Sequence, residues 1–179
     1  MKALIIVIVV LVFLGGLFYF SKREAEVGEM TVTSVFKNGG EIPREFTCDG
    51  ANVSPQLAVS GIPSGARTLA IIVDDPDAPI GTFTHWVAWN FEVKGSSTSI
   101  PKAVPRRTSI MVQGRNDFGR IGYDGPCPPR GHGKHHYHFK IYALDTSLNL
   151  KEGSTKAELE RAMKGHILAQ AEIVGVYGR

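Results

Sequence analysis

Residues Ala3 to Phe20 are 18 consecutive positions without a charge, and only Gly15 and Gly16 among them are not hydrophobic. As a helix rising about 1.5 Å per residue, the run covers roughly 27 Å, close to a bilayer core of about 30 Å. A signal peptide carries a shorter apolar region, about 7–15 residues, and a small-residue cleavage site. Ser21-Lys22-Arg23-Glu24-Ala25-Glu26 offers no such site, and no Cys stands there for lipidation. Residues 1–21 are therefore expected to be an N-terminal transmembrane helix. A cleaved signal segment is the main alternative and a buried core helix the lesser one. Residues 22–29 read as a polar linker and residues 30–179 as one domain. The expected location is a single-pass membrane anchor with the domain outside the cytoplasm. Lys2 on one flank nearly balances Lys22 and Arg23 on the other, so charge alone does not fix the topology.

The remaining length excludes two large domains. The 20 Gly and 10 Pro, spread along the chain, exclude a coiled coil. The net charge of +3 lies wholly in the domain, because the first 29 residues hold three charges of each sign. No dense Lys/Arg stripe accompanies it, so nucleic acid is not an expected partner.

Within the domain the hydrophobic pattern is mostly of period two. Strands are expected at 31–36, 56–60, 68–73, 83–93, 109–113, 135–144 and 171–177. The near-continuous apolar run Thr68–Val73 reads as a strand buried on both faces. One helix is expected late in the chain. Thr155 and Glu158 have capping-box spacing, Leu159, Ala162 and Met163 form a stripe, and Gly165 follows as a stop. The stretch from Gly114 to Lys134 has no periodicity, and a loop that long in a compact domain is usually functional.

Three clusters carry chemistry. Asp74-Asp75-Pro76-Asp77-Ala78-Pro79 directly follows the buried strand. The prolines stiffen the turn, and Asp75 is placed to project into a cleft or to cap the turn. Thr84-His85-Trp86 lies within an aromatic strand, where a lone His serves either the core or a site. Gly131 to Phe139 holds four of the six histidines. If a strand begins near His135, then His135, Tyr137 and Phe139 share one face and His136 and His138 the other. These histidines then cannot converge on one metal, and no metal ligand is assigned. Cys48 and Cys127 lie in Gly/Pro-rich loops. An even count in an exported domain fits a disulfide, and two separate buried thiols are the alternative.

The blocks Asp75-Pro76-Asp77-Ala78-Pro79, His85-Trp86 and Gly131-x-Gly-x-His135-His136-Tyr137 resemble the signatures of the phosphatidylethanolamine-binding protein family. That family includes the Raf kinase inhibitor proteins and the plant flowering regulators. Its bacterial and archaeal branch is the more similar one. It shares Cys48-Asp49-Gly50-x-Asn52-x-Ser54-Pro55, Gly122-x-x-Gly125-Pro126-Cys127-Pro128-Pro129 and Gly165-His166-Ile167-Leu168-Ala169. The resemblance covers Met30 to Arg179 and leaves the apolar N-terminus outside.

It implies a mainly β fold of two antiparallel sheets with Greek-key connections and a peripheral helix. It also implies a small pocket for phosphate, phosphoryl headgroups or acetate. Asp75, His85, His135 and Tyr137 match the pocket positions, and Pro79, Trp86 and Pro128 would form its walls. Where the family usually has Arg after the strand His, this chain has His136. His135 and His85 would donate to the anion, with Asp75 orienting a His. The function so implied is non-catalytic anion or phospholipid-headgroup binding, with inhibition of a protease or kinase as an added role. The alternative from another class is a metal-assisted hydrolase using Asp75, His85 and His135. No nucleophile motif supports an enzyme, and no cofactor is implied.

Overall fold

The computed structural model describes residues 29–179. The expected anchor and nearly all of the linker lie outside them. No helix among the described residues is long and apolar enough to cross a membrane.

Among the described residues, nine strands and one α-helix follow in chain order: β1 Thr31–Thr33, β2 Gly40–Glu41, β3 Leu57–Ser60, β4 Thr68–Asp75, β5 Phe83–Glu92, β6 Ser97–Ile100, β7 Val112–Gln113, β8 Lys134–Leu144, α1 Lys156–Met163 and β9 Ile167–Gly178. A small sheet has the order β1-β3-β6 and a large one the order β2-β9-β8-β4-β5-β7. The large sheet is not wholly antiparallel as expected. β2 runs parallel to β9, pairing Gly40 with Gly175 and Glu41 with Val176. β8 returns to the far side of β4, so segments distant in sequence become neighbours.

All eight residues of β4 are buried, as its unbroken apolar run requires of a strand covered on both faces. Its odd-numbered side chains, Leu69, Ile71 and Val73, enter the main core with Trp86, Tyr137, Phe139 and Ile141. Its even-numbered ones, Ala70 and Ile72, enter a smaller core with Leu159 and Met163 of α1. The Thr155–Glu158 capping box is formed, so the first turn of α1 has its orphan N–H groups satisfied. β1 stops at Thr33 and β7 covers only Val112–Gln113, both shorter than the hydrophobic pattern suggests. Cys48 and Cys127 are bridged, with Cα atoms 5.4 Å apart across a separation of 79 residues.

Candidate functional site

A cavity of about 230 Å³ opens at the ends of β4, β5 and β8. Asp75, Ala78, Pro79, Ile80, Phe83, His85, Phe118, Cys127, Pro128, Pro129 and His135 line it. Each polar member arrives by a local rule. Asp75 is the last residue of β4, and its Oδ1 accepts the N–H of Asp77 at 2.9 Å, which closes the Asp-Pro-Asp turn. His135 opens the buried face of β8, where burial alternates through His135, Tyr137 and Phe139 while His136 stays exposed. His135 Nδ1 lies 2.7 Å from Asp75 Oδ2, and both side chains are almost wholly buried.

His85 reaches the cavity through a β-bulge. Val73 pairs with Trp86, but Asp74 pairs with Thr84, so His85 is the extra residue on β5. A bulge re-aims the side chain it carries. The His85 ring packs edge-on to Tyr137, Phe83 and Phe118. The expected role of Trp86 as a cavity wall is therefore wrong. Trp86 is fully buried in the main core, and its Nε1 donates to Gln113 Oε1 at 2.8 Å.

The expectation that His85 donates to an anion also needs correction. Its Nδ1 is spent on the backbone carbonyl of Asp124 at 2.7 Å. Burial pushes its pKa below the ordinary imidazole value, against weaker support from that carbonyl and from the Asp75 charge. Tyr137 has its hydroxyl buried without a hydrogen-bond partner among the described residues. Burial, followed by the nearby Asp75 charge, pushes the Tyr137 phenol far up, so it stays protonated.

Behind this floor stands a hub that the motif search missed. The buried Asp124 carboxylate accepts from Arg106, Arg120, Asn116 and Asn52. Burial alone would raise its pKa, but Arg120, Arg106 and Asn116 outweigh that and hold it below the usual carboxylate value. The hub fixes the Asp124 carbonyl that orients His85. Gly125 follows, and a Cβ there would lie 2.0 Å from the Phe46 carbonyl oxygen. Only glycine lets the Pro126–Pro129 wall dock so closely. The unpatterned loop also supplies Phe118 and Pro129, and the exposed His132 places Nδ1 2.7 Å from His135 Nε2. The exposed His136 points away from the cavity, donating its backbone N–H to Asp77 Oδ2 at 2.8 Å.

Among the described residues no three His, Cys, Asp or Glu side chains are grouped to hold a metal ion. Asp75 is engaged by the His135 ring and by the Asp77 N–H, and His135 by Asp75 and His132.

The comparisons with known proteins agree with this architecture. A UPF0098 protein of Pyrococcus horikoshii is 49% identical over 184 residues, covering 100% of this chain and 91% of its own. The crystal structure of a phosphatidylethanolamine-binding protein homolog from Chlamydia trachomatis superposes with a TM-score of 0.77 at 40% identity, over 84% of this chain and 98% of that one. Escherichia coli YbcL, described as a member of the mammalian PEBP family, gives 0.77 at 36% identity, over 84% and 99%. The family model for phosphatidylethanolamine-binding protein matches residues 32–178. With that match spanning essentially the whole domain, the chain belongs to the phosphatidylethanolamine-binding protein family.

Proposed function

We propose that this protein binds small oxyanions without catalysis, taking phosphate, the phosphoryl group of a lipid head or acetate into the Asp75–His135 cavity. One observation carries the reading. Asp75, His85 and His135 converge on the cavity from three distant segments under an apolar wall, and Tyr137, which is not itself in the lining, packs edge-on against His85 with its hydroxyl unpartnered. A buried O–H with no partner costs free energy unless a ligand completes it. The cavity size suits a headgroup rather than a whole lipid, and its Ile80, Phe83, Phe118 and proline walls lower the dielectric around a bound charge.

Calorimetric titration of the full-length protein with inorganic phosphate and with phosphoethanolamine tests the reading. Saturable binding that is lost in His135→Ala supports it, and equal affinity in that variant rejects the site. A narrower role as a protease or kinase inhibitor follows from the family alone, and no residue here specifies a target. For location, we propose that Ala3–Phe20 anchors the chain in a membrane with the domain on the oxidising side, where a disulfide persists. Release of the protein from membranes by alkaline carbonate would reject the anchor.

A further inference from the structure

The site is short of hydrogen-bond donors for the anions it is proposed to hold. His135 spends both ring nitrogens on protein. Nδ1 faces Asp75 Oδ2 at 2.7 Å, and a carboxylate only accepts, so that nitrogen carries a proton. Nε2 faces His132 Nδ1 at 2.7 Å, and an N-to-N contact is satisfied by one proton whichever ring owns it. His85 donates Nδ1–H to the Asp124 carbonyl. A neutral imidazole has one N–H, so the remaining Nε2 presents a lone pair. The Asp75 carboxylate adds further acceptors. Of these four side chains, only Tyr137 has a donor without a hydrogen-bond partner, and the nearby Asp75 carboxylate competes for that O–H.

An oxyanion brought against this floor therefore meets one O–H and otherwise lone pairs. Two acceptors do not bond to each other unless a proton lies between them. We propose that the site takes up one proton with each oxyanion it binds, held between a ligand oxygen and Nε2 of His85. This rests on the anion reading given above and adds the bound species. The ligand class is the oxyanion of a weak acid, captured as a singly protonated phosphoryl group or as a carboxyl.

The surrounding charges favour that proton. Asp75 at the end of β4 and Asp124 behind β5 both act on His85 to stabilise its charged form. On β8 the neighbours are Tyr137 and the exposed Lys134, whose nearest acid is Glu41 at 3.8 Å. On β9 Tyr177 pairs across from His135. From the loop come Arg130 and His132, both exposed. The buried charges are acids, and the cations stand in solvent, where water screens them.

The test is calorimetric titration of the full-length protein with acetate and, separately, phosphoethanolamine. It runs from about pH 5.5 to about pH 8.5, a range that brackets ordinary imidazole titration, in two buffers of different ionisation heat. For acetate, the heats should differ between buffers by about one proton per anion, and affinity should fall about tenfold per pH unit at the upper end. For phosphoethanolamine, uptake should shrink toward the lower end, where a phosphate monoester with a second pKa of about 6 already carries the proton. Affinity and heat independent of pH and buffer would overturn proton uptake and leave the anion site standing. An absence of saturable heat with either anion at any pH overturns the anion reading and this inference with it.

Discussion

His135 and Asp75 stand 60 residues apart in sequence, yet the imidazole Nδ1 and the carboxylate Oδ2 meet at 2.7 Å with both groups almost wholly buried. β8 and β4 are antiparallel neighbours in register from Thr68–Leu144 to Asp74–His138. Their continuation past the last pair brings Asp75 beside the start of β8. The contact therefore ties the chemistry of the site to the sheet itself.

That burial sets the outcome of mutating either partner. His135→Ala leaves a buried carboxylate with the Asp77 N–H as its remaining partner, so it should destabilise the fold by about 3–5 kcal/mol. It should also weaken phosphate binding by about 1–3 kcal/mol. Paired denaturant melts and calorimetry separate the two, and a variant as stable as the parent contradicts the buried-pair account.

Tyr137→Phe should move stability and binding in opposite directions. The hydroxyl is buried and unpartnered, so its removal should leave stability unchanged or raise it by about 1 kcal/mol. The same removal takes away the one free donor, and phosphate affinity should fall about tenfold or more. Loss of both together would mean that the hydroxyl has a structural partner.

How much of this the sequence discloses depends on the period of each segment. β4, β8, β9 and α1 are legible because a buried run, an alternation and a capping box each leave a repeating mark. The facing of His135 and Tyr137 away from His136 follows from the same period of two. The bulge at His85 breaks that period by one residue, and no local residue type marks it. Trp86 for that reason lies in the core, while His85 lines the cavity. β2 has two residues and no pattern of its own, and its parallel pairing rests on contacts across more than 130 residues. The Asp124 hub escapes because each of its contributors, Asn52, Arg106, Asn116 and Arg120, looks like an ordinary loop residue until the fold assembles them.

In anion-poor buffer the protein should be acid-sensitive in two steps. Burial depresses the His85 pKa below its unfolded value of about 6.5, so the unfolded chain binds the extra proton. Its contribution is present above that value and lost as pH falls through the folded one. Despite its burial, Asp124 is also depressed, below an unfolded value of about 3.9, by Arg120, Arg106 and Asn116. Its contribution is likewise present above about pH 4 and lost below it. Urea unfolding in anion-poor buffer should show stability declining below about pH 6.5 and again below about pH 4. The first step should be missing from His85→Asn and the second from Asp124→Asn. Wild type and His85→Asn with the same profile near pH 6 would refute the neutral, buried His85.

Reduction of the Cys48–Cys127 bridge should cost both stability and binding. The bond closes a loop with a separation of 79 residues, which in the chain-entropy account contributes roughly 4 kcal/mol. Cys127 also lines the cavity, and the Cys48 N–H donates to the Pro126 carbonyl at 3.0 Å, so the bridge holds the Pro126–Pro129 wall against the early loop. Thiol titration of the denatured, unreduced chain should find no free thiol. Reduction should then lower the denaturant midpoint and weaken phosphate binding. Cys48→Ser with Cys127→Ser should reproduce both effects, because it removes the cross-link and keeps the side-chain size. The Gly125 contact with Phe46 gives a second hold on the same wall, so the wall should loosen rather than detach, and binding should weaken rather than vanish. Full phosphate affinity in the reduced protein would show that the Gly125 contact alone keeps the cavity shaped.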